Sequence, residues 1–361
     1  MFIFVNMKNF AIYIRDVRLS KSIKLVSAAV QMGLDKALLS KIEKGDRRAT
    51  RDQVDAMIQF YNLNTKEAMS LWLSDKILYD LLDEPFAMNA LIIAEDRVRY
   101  EVNSATKFES DKELDDLLAE ADKLHKIWLK KKPLDSIQLL KMKEYFNLNY
   151  TYESNKIEGN TLTLKETYLV VNQGLTIGGK SINEHLEAVN HADAIDFIAE
   201  IVQNKELLTE RVLAQIHYLI LKSIDKKNAG HYRKVPVYIS GSKFVPPQPF
   251  LVAKMMEEIF LFYQMNKDKL HPIILAADMH EKIVTVHPFI DGNGRTCRLI
   301  MNLILLANGY TLGILKGDNK SRLKYYNTLE QIQTKNKRLG FYKLVAKTCI
   351  SSLKEHIKMA G

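Results

Sequence analysis

Apolar residues recur every three and four positions along almost the whole chain, and strand-like alternation is nearly absent. Such stripes can be buried only by laying helix against helix, so the spacing predicts an all-α architecture. One stretch breaks the pattern. In 234–249, Val235, Val237 and Ile239 alternate with Pro236, Tyr238 and Ser240, Ser240-Gly241-Ser242 supplies a turn, and Phe244-Val245 leads into a Pro-rich exit. That stretch predicts one exposed β-hairpin. At 361 residues, two to three folding units are expected, and 47% hydrophobic with 26% charged residues excludes a largely disordered chain.

Punctuation divides the chain into a first unit of short helices over 1–75, a helical connector over 76–109 and a larger unit over 110–361. In the last, a charged amphipathic helix runs from Ser110-Asp111 to Lys132 and stops at Pro133. Asp135 or Ser136 caps the helix that follows, which continues towards Ser154. Cys297 and Cys349 form neither a disulfide framework nor a zinc set, which fits a reducing, cytoplasmic setting. The Met1 to Val5 run has no basic segment before it and no cleavage site after it. Leu299 to Leu315 is interrupted by Asn302, Asn308 and Gly309, so neither secretion nor a membrane span is expected. A formal charge of +9 favours polyanionic partners, nucleic acid or phosphate-bearing ligands, without choosing between them.

Within 8–60, eleven basic residues face six acidic ones, so over half of the excess charge lies there. Ile23 to Val30 reads as a short helix, Gln31 to Leu34 as a turn whose Gly33 can take positive φ, and Asp35 as the cap of a second helix ending at Gly45. Leu38-Leu39-Ser40-Lys41-Ile42-Glu43, followed by Lys44-Gly45-Asp46-Arg47-Arg48, resembles the helix-turn-helix family of Cro and the phage repressors, the XRE type. The resemblance implies a DNA-binding unit whose second helix enters the major groove, with Lys36, Ala37, Ser40 and Lys41 nearest base edges and Arg47 and Arg48 on phosphates. Double-stranded DNA is then a partner, and a homodimer is an open possibility. The other reading is a small protein-interaction module with a solvated basic face.

The densest chemistry is His287-Pro288-Phe289-Ile290-Asp291-Gly292-Asn293-Gly294-Arg295-Thr296-Cys297-Arg298. A helix over Ile273 to Val286 ends at Pro288, and another runs from Arg295 to Ala307, so the stretch is a loop between two buried helices. Gly292-Asn293-Gly294 at a helix start aims unpaired N–H groups at one point, where the helix dipole also favours an anion. Arg295 and Arg298 add positive clamps, Asp291 a carboxylate for Mg²⁺, and His287 a base able to take a proton from a hydroxyl near neutral pH. These are parts for phosphoryl or nucleotidyl transfer.

The twelve residues are similar to the signature of the Fic family, HPFx(D/E)GNGRxxR, at every defined position. The likeness extends over roughly 110–361, including Gly230-His231-Tyr232-Arg233 and the Gly179-Lys180-Ser181 to Asn190-His191-Ala192 region. It implies an all-helical core that transfers AMP from ATP, with Mg²⁺, to a Ser, Thr or Tyr hydroxyl of a target protein. By that likeness His287 is the general base and Asp291 holds the metal. Gly292, Asn293 and Gly294 contact the phosphates, Arg295 and Arg298 bind the β and γ groups, and Phe289 anchors the loop. The predicted hairpin becomes a flap whose Val237, Tyr238, Ile239 and Ser240 lie along the nucleotide and align the target backbone. Tyr325 and Tyr326 match a pair that borders the nucleoside in some members, with ordinary helix packing as the alternative.

Ser154-Asn155-Lys156-Ile157-Glu158-Gly159 reads by itself as a helix end capped by Gly159. It also resembles the inhibitory motif (S/T)xxxE(G/N) of Fic proteins, which implies a brake in which Glu158 pairs with Arg298 and competes with the γ-phosphate. Two alternatives stay open: transfer of UMP or phosphocholine, or removal of AMP, by the same His287 and glycine loop, and a mainly transcriptional role in which that site senses nucleotide. His185, His191, His217, His231, His271 and His280 share no metal-ligand spacing and read as packing or surface residues.

Overall fold

The computed structural model describes residues 9–104, 110–131 and 135–361. The Met1 to Val5 run and Pro133 lie outside the described residues. Among them every regular element is a helix, and the chain divides into two compact units, 1–97 and 98–361.

The first unit contains α1 (Phe10–Ser20), α2 (Leu25–Gln31), α3 (Lys36–Lys44), α4 (Arg51–Tyr61), α5 (Thr65–Leu81) and the start of α6 (Ala87–Ser104). Local signals set these boundaries. The Asp35 carboxylate accepts from the N–H groups of Ala37 and Leu38, and Gly45 closes α3 in the left-handed conformation. Thr50 and Gln53 form a reciprocal capping box at the start of α4. Phe10, Ile14, Leu39, Ile42, Val54 and Met57 then meet in one core. Inside it Glu43 grips Arg18 through both carboxylate oxygens, at 2.7 and 2.8 Å.

The second unit contains α7 (Lys112–Lys131), α8 (Ser136–Ile157), α9 (Leu164–Gln173), α10 (Ile182–Gln203), α11 (Glu210–Leu221), α12 (Pro249–Asn266), α13 (Pro272–Val286), α14 (Asn293–Ala307), α15 (Asn319–Lys335) and α16 (Leu339–Met359). At its centre α13 and α14 pack on each other, with α12 and α16 against α13 and α10 and α11 against α14. Both central helices are buried on nearly every face, as expected of helices that are apolar most of the way round. Two of the acidic groups on α13 find partners inside: Asp278 accepts from the Tyr342 hydroxyl at 2.6 Å, and Glu281 pairs with Arg338 at 3.1 Å. Asp135 caps α8, and Gly159, at φ +101°, lies just beyond its end.

The expected hairpin is not formed. Residues 234–248 form no ladder and carry no regular element, and only the turn is present, with the Ser242 N–H donating to the Ile239 carbonyl at 3.1 Å and Gly241 at φ +79°. Alternation alone misreads this segment because Pro236 on one side and Pro246 and Pro247 on the other lack the N–H donors of a ladder. Among the described residues no helix is long and apolar enough to cross a membrane.

Candidate active site

The site forms where α13 stops and α14 begins. His287 terminates α13 in the left-handed conformation, φ +52° and ψ +57°, which a non-glycine residue holds only when its surroundings fix it. Its Nδ1 lies 3.2 Å from the Val284 carbonyl. A carbonyl can only accept, so Nδ1 carries the proton and Nε2 is left as the basic atom. Burial pushes the imidazole pKa below its usual 6.5, and the neighbouring Arg233 charge acts in the same direction. The Val284 contact and the charges of Glu158 and Asp291 pull the other way. The net effect is a ring that is neutral and ready to accept a proton at neutral pH.

Two side chains hold the loop in shape. Asn293 closes on Phe289, accepting its N–H at 3.0 Å and donating to its carbonyl at 2.9 Å. Phe289, fully buried, stacks flat on His217 at 3.6 Å between ring centres. His217 in turn accepts from the Gly230 N–H at 2.8 Å and donates from Nε2 to the Asp291 carbonyl at 2.9 Å. Burial pushes the His217 pKa down to about 4, so its ring stays neutral in this relay. His217, read from sequence as a packing or surface residue, is thus a strut of the loop between α13 and α14. No spacing signal marks it, because it lies far upstream on α11.

Gly292 turns the chain at φ +74° into α14, whose N-terminus receives no side-chain cap. Its first amides are therefore open to a bound anion. Asp291, 66% exposed, stands beside the turn and accepts from the Gly292 N–H at 2.6 Å. Arg295 and Arg298 are both almost fully buried. Arg295 is 3.1 Å from Glu187 of α10 and 3.4 Å from Asp291, while its Nε has no hydrogen-bond partner. Arg298 donates from Nε to the Ser154 hydroxyl at 3.0 Å, and from Nη2 to the Ser154 carbonyl at 2.9 Å and Glu158 Oε1 at 2.7 Å. Its Nη1 is buried without a partner. Burial works against the Arg298 charge, but the Glu158 carboxylate together with Tyr325 and Tyr150 outweighs it, and the net effect raises the pKa. The same carboxylate leans on the loop so closely that a Cβ at Gly294 would collide with Glu158 Oε1.

The structure therefore brings His287, Asp291, Gly292, Gly294, Arg295, Arg298 and Glu158 together. The Asn293 side chain is spent on Phe289, so only its backbone faces outward at the helix start. Tyr325 is in the core, its hydroxyl 3.0 Å from His280, whereas Tyr326 is partly exposed and donates to the Ile157 carbonyl at 3.0 Å. Val237 and Ile239 are half-buried and Tyr238 and Ser240 exposed. In the first unit Lys36, Ala37, Lys41, Arg47 and Arg48 are exposed and Ser40 half-buried. Arg48 is not fully free: its guanidinium lies over the Tyr79 ring at 3.3 Å.

Two buried, unpartnered guanidinium nitrogens beside an uncapped helix start are the donor set that a polyphosphate satisfies. For Mg²⁺ the fit rests on Asp291. Among the described residues no group of three or more His, Cys, Asp or Glu could hold a metal alone, but Mg²⁺ bound mainly through phosphates and water needs only one or two protein carboxylates.

Residues 207–305 match the family model described as Fic/DOC family. The chain is 36% identical over 221 residues to a protein adenylyltransferase Fic of Nematostella vectensis, covering 60% of this chain and 49% of the relative. It is 36% identical over 197 residues to the protein of that name from Drosophila persimilis, covering 54% of this chain and 37% of the relative. The chain thus spans about half or less of the length of the curated relatives it matches. A crystal structure of a Fic domain containing signaling protein from Bacteroides thetaiotaomicron superposes with a TM-score of 0.62 at 29% identity, over 67% of this chain and 96% of that one. The loop that joins α13 to α14 lies inside the matched residues, and the chain carries a Fic domain.

Proposed function

We propose that this protein is a protein adenylyltransferase that moves AMP from ATP to a Ser, Thr or Tyr hydroxyl of a target protein, restrained by its own Glu158. The observation that carries the reading is the pairing of a neutral histidine, its Nδ1 tied to a carbonyl, with an open helix start and two buried arginines that each keep a guanidinium nitrogen without a hydrogen-bond partner. His287 Nε2 takes the proton of the incoming hydroxyl, whose oxygen attacks the α-phosphorus while pyrophosphate departs. The amides at the start of α14, with Arg295 and Arg298, hold the phosphate oxygens and stabilise charge as it develops. Asp291 would hold Mg²⁺, which supplies further neutralisation of the polyphosphate. The named relatives support AMP as the group moved.

Glu158 occupies the same place on Arg298 and against Gly294 that a phosphate oxygen would use. A carboxylate and a phosphate compete for the same guanidinium donors, so the contact supports a reversible brake. The exposed segment around Val237 to Ser240, rich in unpaired backbone groups, supports docking of the target chain as an added strand.

For the first unit we propose double-stranded DNA as partner, read through α3. Support comes from the exposed Lys36 and Lys41 on that helix and from Arg47 and Arg48 just beyond it. The experiment that tests the enzymatic reading offers the Glu158→Gly chain ATP labelled at the α or at the γ phosphate, with UTP and CDP-choline as rival donors. Label reaching protein from the α position only supports AMP transfer. Transfer from UTP or CDP-choline instead, or from the γ position, overturns it.

A further inference from the structure

Arg233 lies where the segment 234–248 begins, and only 3% of it is exposed. Its guanidinium is spent on backbone carbonyls from two different places. Nε donates to the carbonyl of His287 at 2.8 Å and Nη2 to that of Val286 at 3.4 Å. Nη1 donates to Val235 at 3.1 Å and Nη2 to Pro247 at 2.5 Å. Its backbone N–H donates to the Pro288 carbonyl at 2.9 Å. One planar fork thus grips the end of α13 on one side and both ends of the 234–248 segment on the other, leaving 236–246 as a loop pinned at its two feet.

A buried cation whose hydrogen bonds go to carbonyls is a poor device for stability alone, since desolvation opposes it and a neutral filler would pack as well. A planar fork does offer fixed geometry, which a flexible ammonium cannot reproduce. His287 needs that geometry, because its left-handed backbone and its Nδ1 contact set the direction in which Nε2 points. The pinned loop needs it too if it is to set the register of a docked target hydroxyl against that nitrogen.

We infer that Arg233 is a positioning residue that locks the base of the target-docking segment to the backbone of His287, so that the incoming hydroxyl and the base are aligned as one unit. The inference rests on the adenylyltransferase reading. Its charge has a second effect. Of the charged groups facing the His287 ring, Arg233 favours the neutral form, whereas Glu158 and Asp291 favour the protonated one. Removing the Arg233 charge raises the proton affinity of His287, and removing only the fork does not.

The test compares Arg233→Lys and Arg233→Gln in the full-length Glu158→Gly chain, scoring transfer of α-labelled AMP onto protein in a cell extract across pH. Both variants are expected to lose about 10- to 100-fold in kcat, as misplacement of a reacting group does, with KM for ATP within about twofold. The acid limb of the pH profile moves to higher pH in Arg233→Gln and stays in place in Arg233→Lys. Losses that only track the folded fraction in thermal melts, or an unmoved limb in Arg233→Gln, overturn the inference.

Should the variants fail to fold, or the parent transfer no label, ¹⁵N NMR of the Arg233 guanidinium in the unsubstituted chain decides. Slow solvent exchange of the Nε–H, as its bond to the His287 carbonyl requires, supports the positioning role, and a rapidly exchanging, freely rotating guanidinium rejects it. A parent without transfer counts against the enzymatic reading alone.

Discussion

Each unit of this protein buries arginine against glutamate, and two of these pairs, Arg18–Glu43 and Arg298–Glu158, are built differently. In the first unit Arg18 meets Glu43 fork to fork, at 2.7 and 2.8 Å, and donates its remaining nitrogen to the Ile23 carbonyl at 3.0 Å. Both partners are deeply buried, 12% and 5% exposed. In the second unit Arg298 is 1% exposed, but its partner Glu158 is 30% exposed and offers one oxygen, leaving Nη1 unsatisfied. A fully satisfied fork has nothing to gain from opening. A single-oxygen contact beside an orphaned donor leaves Arg298 able to trade a carboxylate for a ligand with more acceptors. The first pair reads as a clasp and the second as a latch.

Expected effects run from large to small. His287→Ala in the Glu158→Gly chain lowers AMP transfer by about 10²- to 10⁴-fold, the usual worth of a positioned base. Transfer within a few fold of the parent would remove this imidazole from the chemistry and leave the latch guarding nothing. Next, Glu43→Ala strands Arg18 in the core and costs about 3–5 kcal/mol of the first unit's stability. Denaturant melts followed through Trp72, which packs against that core, report this cost. Glu158→Gly costs less in the second unit, because Arg298 keeps two hydrogen bonds to Ser154 where Arg18 keeps one to Ile23. Equal costs would erase the distinction between clasp and latch.

The pH dependence is subtler. Burial sets the His287 pKa below 6.5, and the base works only when neutral. Transfer by Glu158→Gly should be flat at and above neutral pH and fall tenfold per unit once pH drops below the folded pKa. A rate still climbing well above neutral pH would place another group in the role of base. Smallest are Lys36→Ala and Lys41→Ala. If each lysine neutralises a phosphate, each substitution flattens the salt dependence of DNA binding by roughly one unit of slope. An unchanged slope would leave α3 as a protein-interaction helix.

Much of this was legible before any coordinates because the signals are local. Asp35, Gly45 and Gly159 mark helix ends through side-chain acceptors and positive φ, and the glycine turn between α13 and α14 is found where its spacing puts it, at an uncapped helix start. What was missed depends on contacts distant in sequence. The hairpin misled because Val235, Val237 and Ile239 alternate correctly while three prolines withhold the donors. His217 and Glu187 carry no motif and acquire their places only when α11 and α10 pack beside α14. Asn293 sits inside the motif, yet its amide turns inward to Phe289, which spacing cannot reveal. The Glu158–Arg298 contact joins residues 140 positions apart. It was visible only through family resemblance, since one glutamate at a helix end looks like any other.

The account stands on the latch, and intact mass spectrometry tests it most directly. Wild type and Glu158→Gly, each incubated with Mg²⁺ and ATP, should differ, with AMP-sized mass gains on protein accumulating at least tenfold faster when the carboxylate is gone. Equal gains in both, or none in either while each binds ATP equally well, would contradict it.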